Sequence, residues 1–179
     1  DIEPVENKIK VSIIMHHREE HLTTNTAKLA TRMLKNSKIC MRGLIDHPFV
    51  LSDLDILDDE TPYFLFPSTD AAILDEKFIE LNTDKKIHLI VPDGTWNQAK
   101  KVYRREKDLH FIKCVKLPNG ISSHYRLRKA PRADGVCTFE AISYSLNILE
   151  SNTIHQKLMH VFDVMVERFI KARYTFHND

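Results

Sequence analysis

Val91-Pro92-Asp93-Gly94-Thr95-Trp96-Asn97-Gln98-Ala99-Lys100 sets the architecture of this chain. Before it, Ile87, Leu89, Ile90 and Val91 form an apolar, β-branched run that reads as a buried strand ending at Pro92. A turn carrying Asp and Gly follows. Thr95 then fits a helix N-cap, with Gln98 at the capping-box position three residues on. In an open α/β sheet, the loop leaving the carboxyl end of a strand is where ligands and chemistry gather. This loop holds a carboxylate (Asp93), a hydroxyl (Thr95) and the single Trp of the chain, Trp96. An ordinary Asx turn with a Trp packed in the core would use the same residues. Spacing alone leaves both readings open.

Outward from this unit, strand and helix signals alternate. Lys10–Met15 reads as the first strand, and Thr23/Thr24 open a helix with Ala27, Leu29, Ala30, Met33 and Leu34 on its apolar face. Lys38–Met41 is a short second strand, and Asp46–Glu60 a long loop or short helix. Tyr63–Phe66 is a third strand ending at Pro67-Ser68, followed by a helix over Ala71–Leu81. Lys86–Val91 is the fourth strand, Trp96–Lys107 its helix, and Phe111–Leu117 the fifth strand. A long loop from Pro118 to Cys137 precedes two helices, Thr138–Leu149 and Ile154–Tyr174. In the second, Leu158, Phe162, Met165, Val166, Phe169 and Ile170 recur at helical spacing, which predicts core or partner packing. His155 and His160 on that helix read as surface residues. The alternation predicts an α/β fold, a mostly parallel sheet with helices on both faces.

Composition narrows the class. At 179 residues and 42% hydrophobic content, the expectation is one globular domain over residues 1–179. No apolar run approaches a membrane span, and DIEPVENKIK is no signal peptide. Cys40, Cys114 and Cys137 are too far apart for a disulfide framework or zinc ribbon, so a reducing cytoplasm is expected. The net charge of +1 hides an asymmetry. Gly43 to Glu76 contains nine acidic residues and no Lys or Arg. Lys100 to Arg132 contains 11 basic residues against Glu106 and Asp108. That block follows the Asp93 loop directly, which points to a polyanionic partner whose phosphates it neutralises.

Two motifs are set aside. His17-Arg18-Glu19-Glu20-His21 has the inverted zincin spacing, but it lies between a strand and a helix start and lacks an evident third ligand. The four glycines (Gly43, Gly94, Gly120, Gly135) are scattered, so neither a dinucleotide fingerprint nor a P-loop is present.

Asp93-Gly94-Thr95-Trp96 resembles the D-x-T-W signature of the DTW-domain proteins, tRNA-uridine aminocarboxypropyltransferases. Further elements follow in that family's order. His16-x-x-Glu19 and Asn25-Thr26 resemble its H-x-x-E…N-T segment, with His17 where Pro is expected. Phe66-Pro67-Ser68 resembles its Y/F-P turn. Ser123-x-Tyr125-x-x-Arg128-Lys129-x-Pro131 and Thr138-x-Glu140-Ala141 resemble its S-x-Y-x-x-R-K…T-x-E-A block. The ordered set covers residues 11 to about 150 and is far more specific than the tetrapeptide.

The resemblance implies a SPOUT-like α/β fold, knotted near the cofactor site. It also implies transfer of the 3-amino-3-carboxypropyl group of S-adenosylmethionine to N3 of a uridine in tRNA, with release of 5′-methylthioadenosine. No metal is implied. Many bacterial relatives carry a cysteine-rich, zinc-binding N-terminal segment, and nothing like it stands in this sequence. Such a transfer needs a group that takes or orients the N3 proton, and Asp93 is the candidate. An Asp starts near pKa 4, so burial would have to raise it for general-base work. By position, the donor is expected among three loops, with Phe66, Pro67, Ser68, Gly94, Thr95, Trp96, Leu117, Ser123 and Arg128 as its binding residues. Arg18, Asn25, Thr26, Lys100, Arg104, Tyr125, Lys129 and Glu140 are expected on the RNA side. Trp96 serves equally as a stacking partner or a core plug, and Glu140 as a pocket residue or a cap at its helix start. The expected partner is tRNA, without membrane association. Oligomeric state is open, with a monomer the simpler expectation. A SPOUT-type RNA methyltransferase and a non-catalytic RNA-binding module would use the same sequence features.

Overall fold

The computed structural model describes residues 3–22, 25–125 and 135–175. Its six strands are β1 (Lys10–His16), β2 (Ser37–Arg42), β3 (Glu60–Leu65), β4 (Ala72–Ile73), β5 (Lys86–Pro92) and β6 (Lys113–Lys116). They form one sheet in the order β2-β1-β5-β3-β6-β4, and every pairing is parallel. The helices are α1 (Thr26–Met33), α2 (Glu76–Glu80), α3 (Trp96–Arg105), α4 (Thr138–Leu149) and α5 (Asn152–Thr175).

Alternation along the strands makes two cores. Val11, Ile13 and Met15 of β1 and Ile87, Leu89 and Val91 of β5 face one side, closed by α1, α4, α5 and Phe78 of α2. Phe139 of α4 stacks on Phe162 of α5 with ring centroids 5.1 Å apart. On the other side, Ile14, Phe64 and Ile90 pack under Ala99 and Val102 of α3 and under Leu54 and Leu109. Because both faces are covered, the central strands are apolar almost throughout. The exception is a buried polar chain on the α3 side. Ser12 Oγ lies 2.8 Å from His88 Nε2, and His88 Nδ1 lies 3.0 Å from Glu60 Oε2, which also faces Lys10 Nζ at 3.4 Å. Each polar end finds a partner, which offsets the loss of water. The order Ser–His–carboxylate is that of a nucleophilic relay, yet Ser12 is 0% exposed and no substrate reaches it.

The structure corrects several boundaries. The first helix begins not at Thr23/Thr24, which lie outside the described residues, but after Asn25. The Asn25 side chain accepts from the N–H groups of Ala27 and Lys28. The helix expected over Ala71–Leu81 shrinks to α2. Its true cap is Asp75, which accepts from Phe78 N–H, while Ala72–Ile73 extends the sheet edge beside β6. Phe111 lies in a 3-10 turn (Lys107–Phe111) and is 88% exposed, so β6 starts only at Lys113. His155 is half-buried, with Nδ1 2.9 Å from Ser143 Oγ.

Candidate active site

Continuing the β5 alternation by one step carries Asp93 to the α1/α4 face, past the last apolar residue. Its N–H still donates to the Ile14 carbonyl, at 2.9 Å, so the carboxylate sits on the end of a rigid ladder. Gly94 then turns the chain at φ +109°, a backbone that L side chains rarely adopt. A Cβ there would stand 2.6 Å from Gln98 Oε1. The Gln98 side chain does two jobs. Oε1 accepts from Thr95 N–H at 2.6 Å, completing the capping box, and Nε2 donates to Glu19 Oε1 at 2.8 Å. The loop after β5 is thereby tied to the 3-10 turn (His17–Glu19) after β1.

Asp93 is 6% exposed. Its Oδ1 accepts from Thr138 Oγ1 at 2.6 Å and its Oδ2 from Asn25 Nδ2 at 2.9 Å. Burial pushes the carboxyl above its ordinary range. The Thr138, Asn25 and Gly94 donors pull it back without cancelling that push, and the Glu19 charge adds to it. Asp93, Glu19, Asn25 and Thr26 face Tyr125, Cys137 and Thr138 across a cleft of about 60 Å³. Two carboxylates and no basic side chain line it among the described residues.

The expected donor loops do share one edge of the sheet. β5, β3 and β6 are consecutive, and Phe66 N–H donates to the Val115 carbonyl at 2.9 Å, holding the ends of β3 and β6 together. The ring of Phe66, however, is buried in a stack with Tyr103 at 4.9 Å. Pro67 is exposed, and Ser68 Oγ donates to Asp70 at 2.8 Å. Leu117 packs against the α4/α5 core, and Trp96 is half-buried at the first residue of α3.

Glu140 stands apart from the cleft. It is 0% exposed, and its oxygens accept from Ser123 Oγ, His124 N–H and Cys137 N–H at 2.5–3.0 Å. Of its two expected roles, this geometry is that of a clamp joining the loop after β6 to the start of α4. It also occupies the Ser123 hydroxyl, which accepts in turn from Tyr125 N–H. Both residues therefore shape the cleft rather than offer it free polar groups. Arg18 is exposed beside Glu19. Lys100, Lys101 and Arg104, with Asn97, line an exposed groove of about 380 Å³ along α3, starting three residues past Gly94. Arg128 and Lys129 lie outside the described residues. Glu19, Cys137 and Thr138 line the cleft although none was among the expected site residues. Only the H-x-x-E and T-x-E-A spacings mark Glu19 and Thr138 in the sequence.

The chain is similar to known proteins over most of its length. The chain is 29% identical over 160 residues to tRNA-uridine aminocarboxypropyltransferase 2 of Macaca fascicularis, covering 87% of this chain and 53% of the relative. It is 30% identical over 145 residues to the Drosophila melanogaster protein of the same name, covering 79% and 57%. Against tRNA-uridine aminocarboxypropyltransferase A of Arabidopsis thaliana the figures are 28% over 193 residues, 93% and 72%. The chain thus spans about half the length of the animal relatives it matches. Its fold matches that of the SAM-dependent rRNA:acp-transferase Tsr3 from Vulcanisaeta distributa. The TM-score is 0.58 at 14% identity, over 91% of this chain and 82% of the other, so the two chains share a fold. The DTW-domain model matches residues 1–170, and the chain belongs to the DTW-domain family.

Proposed function

We propose that this chain transfers the 3-amino-3-carboxypropyl group of S-adenosylmethionine to N3 of a uridine in tRNA, releasing 5′-methylthioadenosine. One observation carries the reading. The Asp of the D-x-T-W motif stands buried at a strand end, with both carboxylate oxygens oriented by donors, beside a small cleft. The residue types fit the donor. When bound, S-adenosylmethionine supplies an electrophilic γ-carbon next to a sulfonium, and a neutral thioether leaves. A cleft lined by Asp93 and Glu19 without a basic described side chain suits that cationic end.

In the transfer, the N3–Cγ bond forms as the Cγ–S bond breaks, and the electron pair of that bond passes to sulfur. Asp93 accepts the N3–H hydrogen bond and draws off the proton as charge develops on the base, a role favoured by its raised pKa. Thr95 and Gln98 hold the loop that presents it. The loops at Phe66-Pro67-Ser68, Gly94-Thr95-Trp96 and Leu117–Ser123, with Arg128, frame the donor. Lys100 and Arg104, with Arg18 and Lys129, neutralise RNA phosphates, while Asn25, Thr26 and Tyr125 border the target base. Residues 1–179 act as one domain in this reading, in a cytoplasmic setting.

Mass spectrometry of the chain incubated with unmodified tRNA and S-adenosylmethionine, beside Asp93→Ala, tests this. Methylthioadenosine and an aminocarboxypropylated uridine are expected, and both are lost in the variant. S-adenosylhomocysteine with methylated RNA would instead make the chain a methyltransferase, and bound tRNA with neither product would overturn the reading.

A further inference from the structure

We infer that Thr138 is the positioning residue that fixes the orientation and charge of Asp93, with Asn25 as its immobile counterpart. The inference rests on the reading that Asp93 acts on the target base. The two donors to Asp93 differ in freedom. Asn25 Oδ1 is held by the N–H groups of Ala27 and Lys28, at 2.9 and 3.2 Å, because Asn25 caps α1. Its amide therefore cannot flip, and Nδ2 points at Asp93 Oδ2 in every charge state. That oxygen must remain an acceptor. A proton on Asp93, when there is one, sits on Oδ1.

Oδ1 faces Thr138 Oγ1 at 2.6 Å, in a pair that is buried on both sides. A hydroxyl both donates and accepts, so Thr138 donates to the carboxylate and turns to accept from the acid. The pair spans β5 and α4, and Thr138 is the first residue of α4, whose start is itself locked by Glu140 to the loop after β6. Thr138 thus translates the position of that loop into the direction of the Asp93 carboxylate. A carboxylate offers about four acceptor sites. With Thr138 on one oxygen, Asn25 on the other and the Gly94 N–H alongside, the site left for a substrate N–H opens to the cleft.

Other titratable groups face the same cleft from three directions. Glu19 approaches from the turn after β1, Tyr125 from the loop after β6, and Cys137 from the cap of α4. Glu19 is tethered to Gln98, so its charge acts on Asp93 equally in wild type and in any Thr138 variant. Thr138→Val removes the hydroxyl at nearly constant shape, and Thr138→Ala is a second route to the same loss should Val fail to fold. Thr138→Ser keeps the hydroxyl.

The experiment is a carboxyl-carbon NMR titration of Asp93 in the full chain, for wild type and the three variants, with the pH profile of kcat/KM recorded in parallel. Thr138 bonds the ionised carboxylate more strongly than the neutral acid, so its loss raises the Asp93 pKa. Thr138→Val and Thr138→Ala are expected to titrate on the order of one pH unit higher than wild type. The acid limb of kcat/KM shifts equally, while Thr138→Ser overlays wild type. A purely structural role would lower activity at every pH and leave the limb where it was. An unshifted Asp93 titration in Thr138→Val overturns the inference. Wild type that titrates as expected but never releases methylthioadenosine overturns the proposed function instead, and the titration still judges Thr138.

Discussion

Neutralising the exposed stripe of α3 offers a quantitative test of the proposed RNA path to the cleft. Lys100, Lys101 and Arg104 line one groove, and none of them forms an ion pair among the described residues, whereas Arg42 is committed to Glu106 at 2.8 Å. From Asn97 to Arg104 the stripe runs about 10 Å along the helix, starting at the mouth of the Asp93 loop. Each phosphate contact contributes roughly 0.7 to 0.9 to the slope of log affinity against log salt. Replacing all three by Gln should therefore flatten the slope by about 2 to 3. Between 50 and 200 mM salt, wild type should lose roughly threefold more affinity per contact, and about 30-fold more in total, than the triple variant. Fluorescence anisotropy with labelled unmodified tRNA reads this directly. Lys113→Gln is the control, being exposed and basic but at the start of β6, the opposite end of the sheet. An unchanged slope in the triple variant, or an equal drop in Lys113→Gln, would show that RNA does not follow α3.

Two further outcomes test the scaffold, one at the cleft and one on the opposite face of the sheet. Gly94→Ala forces a Cβ into the left-handed region and to within 2.6 Å of Gln98 Oε1, displacing the amide that holds both Thr95 and Glu19. Urea unfolding should show a loss of about 2 to 3 kcal/mol, and a loss below about 0.5 kcal/mol would mean the Gln98 tie is unimportant. Burial holds the His88 imidazole below its ordinary 6.5. In acid the unfolded chain thus binds the proton first, and stability falls as pH drops below about 6.5 toward the folded value. His88→Gln should flatten urea midpoints between pH 7 and pH 5.5, and a variant as acid-sensitive as wild type would place the effect elsewhere.

What the sequence reveals divides by distance along the chain. The Thr95–Gln98 capping box and the limits of α4 are legible because their signals lie within one helical turn. The alternation of β5 already places Asp93 on the same face as Leu89 and Val91. The contacts that make a site of it span 68 residues to Asn25 and 45 to Thr138, and Gln98 reaches Glu19 across 79. No periodicity encodes these. Local ambiguity explains the other misses. Thr23, Thr24 and Asn25 are all good caps by residue type, and it is Asn25 whose side chain accepts from the N–H groups of Ala27 and Lys28. Ala72–Ile73 leaves the helical pattern because the β6 edge offers backbone partners. Glu140 sits where a helix-dipole partner would, and its burial beneath Ser123 and His124 is a tertiary fact.

Asp93 is at once the best-placed reactive group and a tie between β5, α1 and α4, and Asp93→Asn separates the two roles. Its raised pKa means that the folded chain holds the proton more tightly than the unfolded chain. Stability therefore falls as pH rises above the ordinary 3.8 through the raised value, and at neutral pH the buried charge weighs against the fold. The Asn substitution removes that charge and keeps both bonds. The new carbonyl oxygen accepts from Asn25 Nδ2, and the new NH2 donates to Thr138 Oγ1, which is free to accept. The variant should be more stable than wild type at pH 7, and the difference should vanish as Asp93 protonates in acid. Transfer should fall by about 10²- to 10⁴-fold, the usual worth of a positioned acid or base. Such a gain in stability with a loss of activity is the mark of a group held in place for chemistry at the fold's expense. If Asp93→Asn is instead less stable at neutral pH, the charge itself holds α1 and α4 to the sheet, and Asp93 is first a structural tie.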